Sequence, residues 1–155
     1  MGVHPVGRAE TSAYPWTLNE ADRPIIEAYL QAQLTYVQAA ISDPFDFSQP
    51  GWTTFYADGA SARLEPLKAR RLAGQVADLD IGLVYQPSVL SDERTATYAI
   101  VADCVLDGGV FRMPDGSLAE GSTLGVTRTA KAARMEQVDG VWRVAAEGSF
   151  DGGCS

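Results

Sequence analysis

Few side chains in this 155-residue sequence have the type and setting for chemistry. Tyr29, Tyr36, Tyr85 and Tyr98, with one carboxylate, Asp103, fall within periodic apolar stretches and could line a cavity. Acid–base chemistry there would need an ionisable group on the inward face with its pKa moved by burial. Tyr29, Tyr36, Tyr98 and Asp103 are accordingly the candidate ligand pocket. Each has a plainer role open to it: a tyrosine can be a core residue with its hydroxyl at the rim, and Asp103 a hydrogen-bonding group near a strand end. The direction of Asp103 depends on which face of its strand is inner. Asp78 and Asp80 alternate away from Leu79, Ile81, Leu83 and Tyr85, which puts them outside. The single histidine, His4, lies in the N-terminal tail. The sequence carries no Gly-rich phosphate loop, nucleophile elbow or Glu-x-x-His metal set. No catalytic residue, metal or cofactor is therefore assigned.

The two cysteines, Cys104 and Cys154, stand in different settings. Two buried free thiols are one possibility. However, Cys154 sits in a Gly-rich tail that could not bury a thiol unaided. A disulfide would order that tail and place the chain in an oxidising compartment, and we favour it.

Elements must position these residues. Residues 1–18 read as a tail or linker, with Tyr14 and Trp16 able to tack its end onto a domain at 19–155. A first helix should begin between Asn19 and Arg23, since Asn19 and Asp22 are good N-caps and Pro24 suits a first turn. Ile26, Leu30, Leu34, Val37 and Ile41 give it a core-facing stripe. Asp43-Pro44 should end it. A short helix over Gly51–Gly59 would present Trp52, Phe55 and Tyr56. A third, over 60–73, would turn Leu64, Leu67 and Leu72 inward and hold Arg63, Lys68, Arg70 and Arg71 on a solvated face.

From Gln75 the period changes to two. Strands are expected over 79–85 and 94–106, with a short piece at Val110–Met113 between turn signals. Asp139-Gly140 is a favoured type I′ turn. It sets Val138 opposite Val141, Gln137 opposite Trp142, Glu136 opposite Arg143 and Met135 opposite Val144. Continued alternation puts Ala133, Met135, Trp142, Val144 and Ala146 on the core face. Arg128, Arg134, Glu136, Arg143 and Glu147 fall on the solvent face. Helices followed by an unbroken run of strands make the fold class α+β: a long N-terminal helix and two shorter helices packed on a curved antiparallel sheet of four to five strands.

The net charge of −8 argues against nucleic acid held by phosphate contacts and against an anionic membrane surface. The start, Met1 to Glu10, has no apolar signal-peptide core, so membrane association would need a segment outside this sequence. Either the protein stays where it is made or this is the processed part of an exported precursor.

The helix ending in Asp43-Pro44, the aromatic second helix, the Leu-rich third helix and Val138-Asp-Gly-Val-Trp-Arg-Val144 together resemble the nuclear-transport-factor-2-like superfamily, an α+β cone related to cystatins. Ala102-Asp-Cys104, the Pro114-Asp-Gly turn and the terminal Gly-x-Cys154 are similar to small actinobacterial secreted or lipoprotein-type members of unassigned function. The usual secretion signal or lipobox is missing. Enzymes of the superfamily, such as ketosteroid isomerases and polyketide cyclases, pair a base with a tyrosine or acid that stabilises an enolate. Other members, including type IV secretion and conjugation subunits, imply protein assembly through the sheet. The expected function is therefore a non-catalytic structural or interaction module outside the cytoplasm, with a protein partner or homo-oligomer. The alternative is an apolar-ligand-binding or isomerase-like pocket.

Overall fold

The computed structural model describes residues 19–57, 61–150 and Cys154. The expected tail, with His4, Tyr14 and Trp16, and the expected C-cap Gly59 lie outside them. Helix α1 spans Arg23–Ile41, with Pro24 in its first turn as expected. Asp22 occupies the N-cap but makes no capping bond; its carboxylate pairs with Arg94 at 3.0 Å instead. The buried face of α1 is broader than the expected stripe, taking in Ile25, Tyr29, Gln33 and Thr35, while Ile41, the last helical residue, is 41% exposed.

Helix α2 is only Gly51–Thr54. It stops early because the next residues are drawn to the sheet edge. Val144 donates its N–H to the Phe55 carbonyl at 2.8 Å, and Ala57 donates to the Val144 carbonyl at 2.9 Å. The segment thereby covers part of an open strand edge, which would otherwise present unpaired backbone groups. Gly51 lets α2 press against α1: a Cβ there would lie 1.8 Å from Thr35 Oγ1.

Helix α3 is Ser61–Leu72. Leu67 is buried as expected, but Leu72 is 80% exposed. The basic residues do not form a solvated face. Buried Arg71 donates to the carbonyls of Ala40 and Ser42, which satisfies acceptors at the end of α1. Arg63 lies over Tyr36, Lys68 over Phe47 and Arg70 over Phe111. Their long stems follow the apolar surface while the cationic heads meet ring faces.

Seven strands follow: β1 Val76–Asp78, β2 Leu83–Val84, β3 Pro87–Val89, β4 Tyr98–Asp107, β5 Val110–Arg112, β6 Thr127–Val138 and β7 Val141–Ser149. All pair antiparallel, in a two-stranded sheet β1–β5 and a five-stranded sheet β2–β4–β6–β7 with β3 also on β4. The fold is thus α+β, with the long helix first. The expected strand over 79–85 is split by a turn at Asp80-Ile81-Gly82, which leaves Ile81 36% exposed. Arg94 falls outside β4 and follows a 3-10 turn, Ser91–Glu93.

Residues Ala99, Val101 and Val105 of β4 meet Ala133 and Met135 of β6, Trp142 and Val144 of β7, and the inner face of α1 in one apolar core. The Asp139-Gly140 turn has positive φ at both residues, 53° and 80°, as a type I′ turn requires. The hairpin register matches expectation from Val138↔Val141 to Met135↔Val144. It then slips. Arg134 pairs with Ala146 and Ala133 with Glu147, so Ala145 is an extra residue in β7. This β-bulge reverses the alternation beyond it. Ala146 moves to the solvent face, and Glu147 turns to the helix side.

Candidate functional site

Two linked polar groups lie on the helix side of the sheet. The first is Asp103 on β4. Its neighbours at two-residue steps, Val101 and Val105, are core residues, so Asp103 faces inward and is 2% exposed. The Tyr29 hydroxyl donates to its Oδ2 at 2.5 Å, and the Gln86 N–H donates to Oδ1 at 2.7 Å. Burial raises the Asp103 pKa above the ordinary value, opposed by both hydrogen bonds and by Lys131. Burial also holds the Tyr29 hydroxyl well above its usual range, reinforced by the Asp103 charge. The Tyr29 hydroxyl therefore stays protonated as the donor of this bond.

The second group is built on the bulge. Glu147 accepts from Gln33 Nε2 at 2.7 Å and from Arg63 at 3.0 Å. Gln33 Oε1 in turn accepts from Arg63 at 2.5 Å, and the Arg63 guanidinium sits 3.8 Å from the centre of the Tyr36 ring. Burial works against the Arg63 charge, but the Glu147 carboxylate and the surrounding tyrosines outweigh it and raise the pKa. Lys131, two residues before Ala133 on β6, lies opposite Asp103. Its pKa is lowered by burial and by Arg63.

A cavity of about 440 Å³ opens beside this group, lined by Tyr56, Arg63, Ala130, Lys131, Val144 and Glu147 among others. A smaller chamber of about 120 Å³ is lined by Tyr36, Leu79, Leu83, Tyr85, Asp107 and Phe111 among others. Arg63 and Lys131 line both.

Of the four pocket candidates, the structure brings Tyr29 and Asp103 together, but neither lines these cavities. Tyr36 lines the smaller chamber. Tyr98 is apart from all three, because it shares the outer face of β4 with Cys104 and lies opposite Glu136. Sequence reasoning missed Arg63, Lys131 and Glu147. For Glu147 the one available cue was Ala145, an apolar residue standing where alternation demands a polar one between Arg143 and Glu147.

Cys104 and Cys154 form a disulfide with Cα atoms 5.5 Å apart. Cys104 points outward, away from Asp103, so the bond fastens the chain end to the outer face of the central strand. Among the described residues no cluster of His, Cys, Asp and Glu has the arrangement to hold a metal. No helix among them is long and apolar enough to cross a membrane.

These features define an α+β protein whose helix-covered sheet carries two polar groups on an otherwise apolar inner face, one of them beside a cavity. No family model and no curated protein matches the chain. Among solved structures it is similar to the intermembrane space region of chloroplast protein ARC6, with 12% sequence identity and a TM-score of 0.61. The match covers 86% of this chain and 98% of that one. At that identity the likeness concerns the fold alone.

Proposed function

We propose that the protein is a non-catalytic interaction module working outside the cytoplasm, in a secreted or cell-envelope assembly, on a nuclear-transport-factor-2-like scaffold. One observation carries the reading. The inward carboxylates are committed to internal bonds: Asp103 accepts from Tyr29 and Gln86, Glu147 from Arg63 and Gln33, and Asp107, at the smaller chamber, from the Gly109 N–H. An isomerase-like base has to reach a substrate proton, within hydrogen-bonding distance or through one water. Asp103 is buried between core residues and lines neither cavity. The disulfide supports the oxidising setting. The outer sheet face, with half-buried Tyr98, Ile100 and Leu106 beside the Arg134–Glu136 pair, offers a mixed apolar and charged surface for a protein partner or a second copy.

The test is made in the native organism. Fractionation with non-reducing mass spectrometry should find the chain outside the cytoplasm with Cys104 and Cys154 paired. A photo-crosslinking residue in place of Arg134 should give a discrete protein adduct that survives Asp103→Asn. Two free thiols in the native compartment, or an adduct lost in folded Asp103→Asn, would overturn the reading.

A further inference from the structure

The charges around the cavity do not balance in pairs. Glu147 is taken by Arg63 and Gln33, and Asp103 by Tyr29 and Gln86. Asp107, also at the smaller chamber, accepts from the Gly109 N–H at 2.8 Å. Lys131 stands among these carboxylates, yet among the described residues no hydrogen bond or ion pair within 4.0 Å reaches it. Glu147, Asp107 and Asp103 favour its charge from a distance, but it is the cation without a direct partner on the wall shared by the 440 Å³ cavity and the 120 Å³ chamber. Arg63 stands beside it, fixed by Glu147 and by the Tyr36 ring. Beyond the cationic pair the smaller chamber presents Leu79, Leu83 and Phe111, with Tyr85 and Asp107 as its polar residues.

A partly desolvated ammonium with no directly bonded partner is a costly group to keep. It repays that cost when an anion enters, because a charge-assisted hydrogen bond in a sheltered site is roughly twice as strong as a neutral one. A convergent polar group at the junction of an apolar chamber and an open cavity is also the usual make-up of a small-molecule site.

We propose that this cavity binds a small monocarboxylate with an apolar body. The carboxylate sits on Lys131 with Arg63 as its second donor, and the apolar part enters the chamber beside Leu79, Leu83 and Phe111. The site stands independently of the partner surface proposed above, which lies on the opposite face of the sheet. Binding there involves no chemical step.

Calorimetric titration of the disulfide-intact protein with octanoate, octanol and butyrate tests this. Octanoate should bind about tenfold or more tighter than octanol, which lacks the charge, and tighter than butyrate, which lacks the body. Lys131→Met should lose about tenfold or more in octanoate affinity and leave octanol unchanged, while Lys131→Arg keeps most of it. Circular dichroism establishes that both variants fold. Chemical-shift changes on octanoate binding should fall on Lys131, Leu79 and Leu83. Equal affinities for octanoate and octanol would overturn the proposal. So would unchanged octanoate binding in folded Lys131→Met, or no octanoate binding at millimolar concentration.

Discussion

Replacing Tyr29 with Phe removes one of the two hydrogen bonds to a buried carboxylate. The cost should depend on pH in a definite direction. Burial raises the Asp103 pKa in the fold, so between the ordinary carboxylate value and the raised one the folded state binds more protons than the unfolded chain. Stability contributed by this group is then fully present below the ordinary value and falls as pH rises through the window. The Tyr29 bond opposes that fall, because it favours the charged form. Above the window Tyr29→Phe should cost about 1.5–3 kcal/mol, as for a hydrogen bond to a charged group; below it, where Asp103 is neutral, about 0.5–1.5 kcal/mol. Asp103→Asn is the control. Its Oδ1 can accept from the Gln86 N–H while its Nδ2 donates to the Tyr29 oxygen, so both partners stay satisfied without a charge. In that background Tyr29→Phe should cost about 0.5–1.5 kcal/mol at every pH. Urea unfolding followed by circular dichroism, at acidic and mildly alkaline pH, measures the four proteins. The coupling should be about 1 kcal/mol or more at alkaline pH and near zero in acid. An equal cost of Tyr29→Phe at both pH values would refute the reasoning.

Other outcomes can be measured alongside. Cys104→Ser with Cys154→Ser opens a loop with a sequence separation of 50; the chain-entropy relation gives a loss of about 4 kcal/mol, read as a lower urea midpoint. A loss under about 1 kcal/mol would mean that the unfolded chain is not constrained by the bond. Gly51→Ala drives a Cβ to 1.8 Å from Thr35 Oγ1 and should cost about 1–3 kcal/mol, with Thr35→Ala in the same chain recovering most of it in thermal melts. Glu147→Ala leaves Arg63 beside Lys131 with no carboxylate between them. Since Glu147 raises the Lys131 pKa, the variant should lower it further, seen by NMR titration of the Lys131 ammonium.

The last hairpin was legible because its turn chemistry is local. Asp139-Gly140 specifies a two-residue turn, and the turn specifies the next few pairs. Its far end was not, because a bulge is chosen by what the strand must meet, and Gln33 and Arg63 come from other elements. Helix α1 was readable from Pro24, from the Asp43-Pro44 stop and from its apolar spacing. Gln33, a polar residue next to the stripe, proved to be buried and hydrogen-bonded to Glu147. The basic residues of α3 resisted reading for a related reason. Arg63 and Arg71 have stems long enough to lie either in water or across an aromatic face, and the choice belongs to Tyr36 and the end of α1. Asp103 was recognised as a candidate, but its direction required knowing which face of β4 the helix covers.

The outward disulfide also determines how the protein would carry a mechanical load. Tension applied beyond Cys154 passes through the sulfur bridge to Cys104 on β4 and bypasses the residues between them. About 170 Å of contour length, at roughly 3.4 Å per residue, is withheld from extension while the bond lasts. The β6–β7 hairpin is shielded from the pull, and so are Lys131 and Glu147. The strain falls first on β4 and on the lock between Asp103 and Tyr29. Reduction would transfer the load to β7, whose pairing with β6 can be peeled one bond at a time.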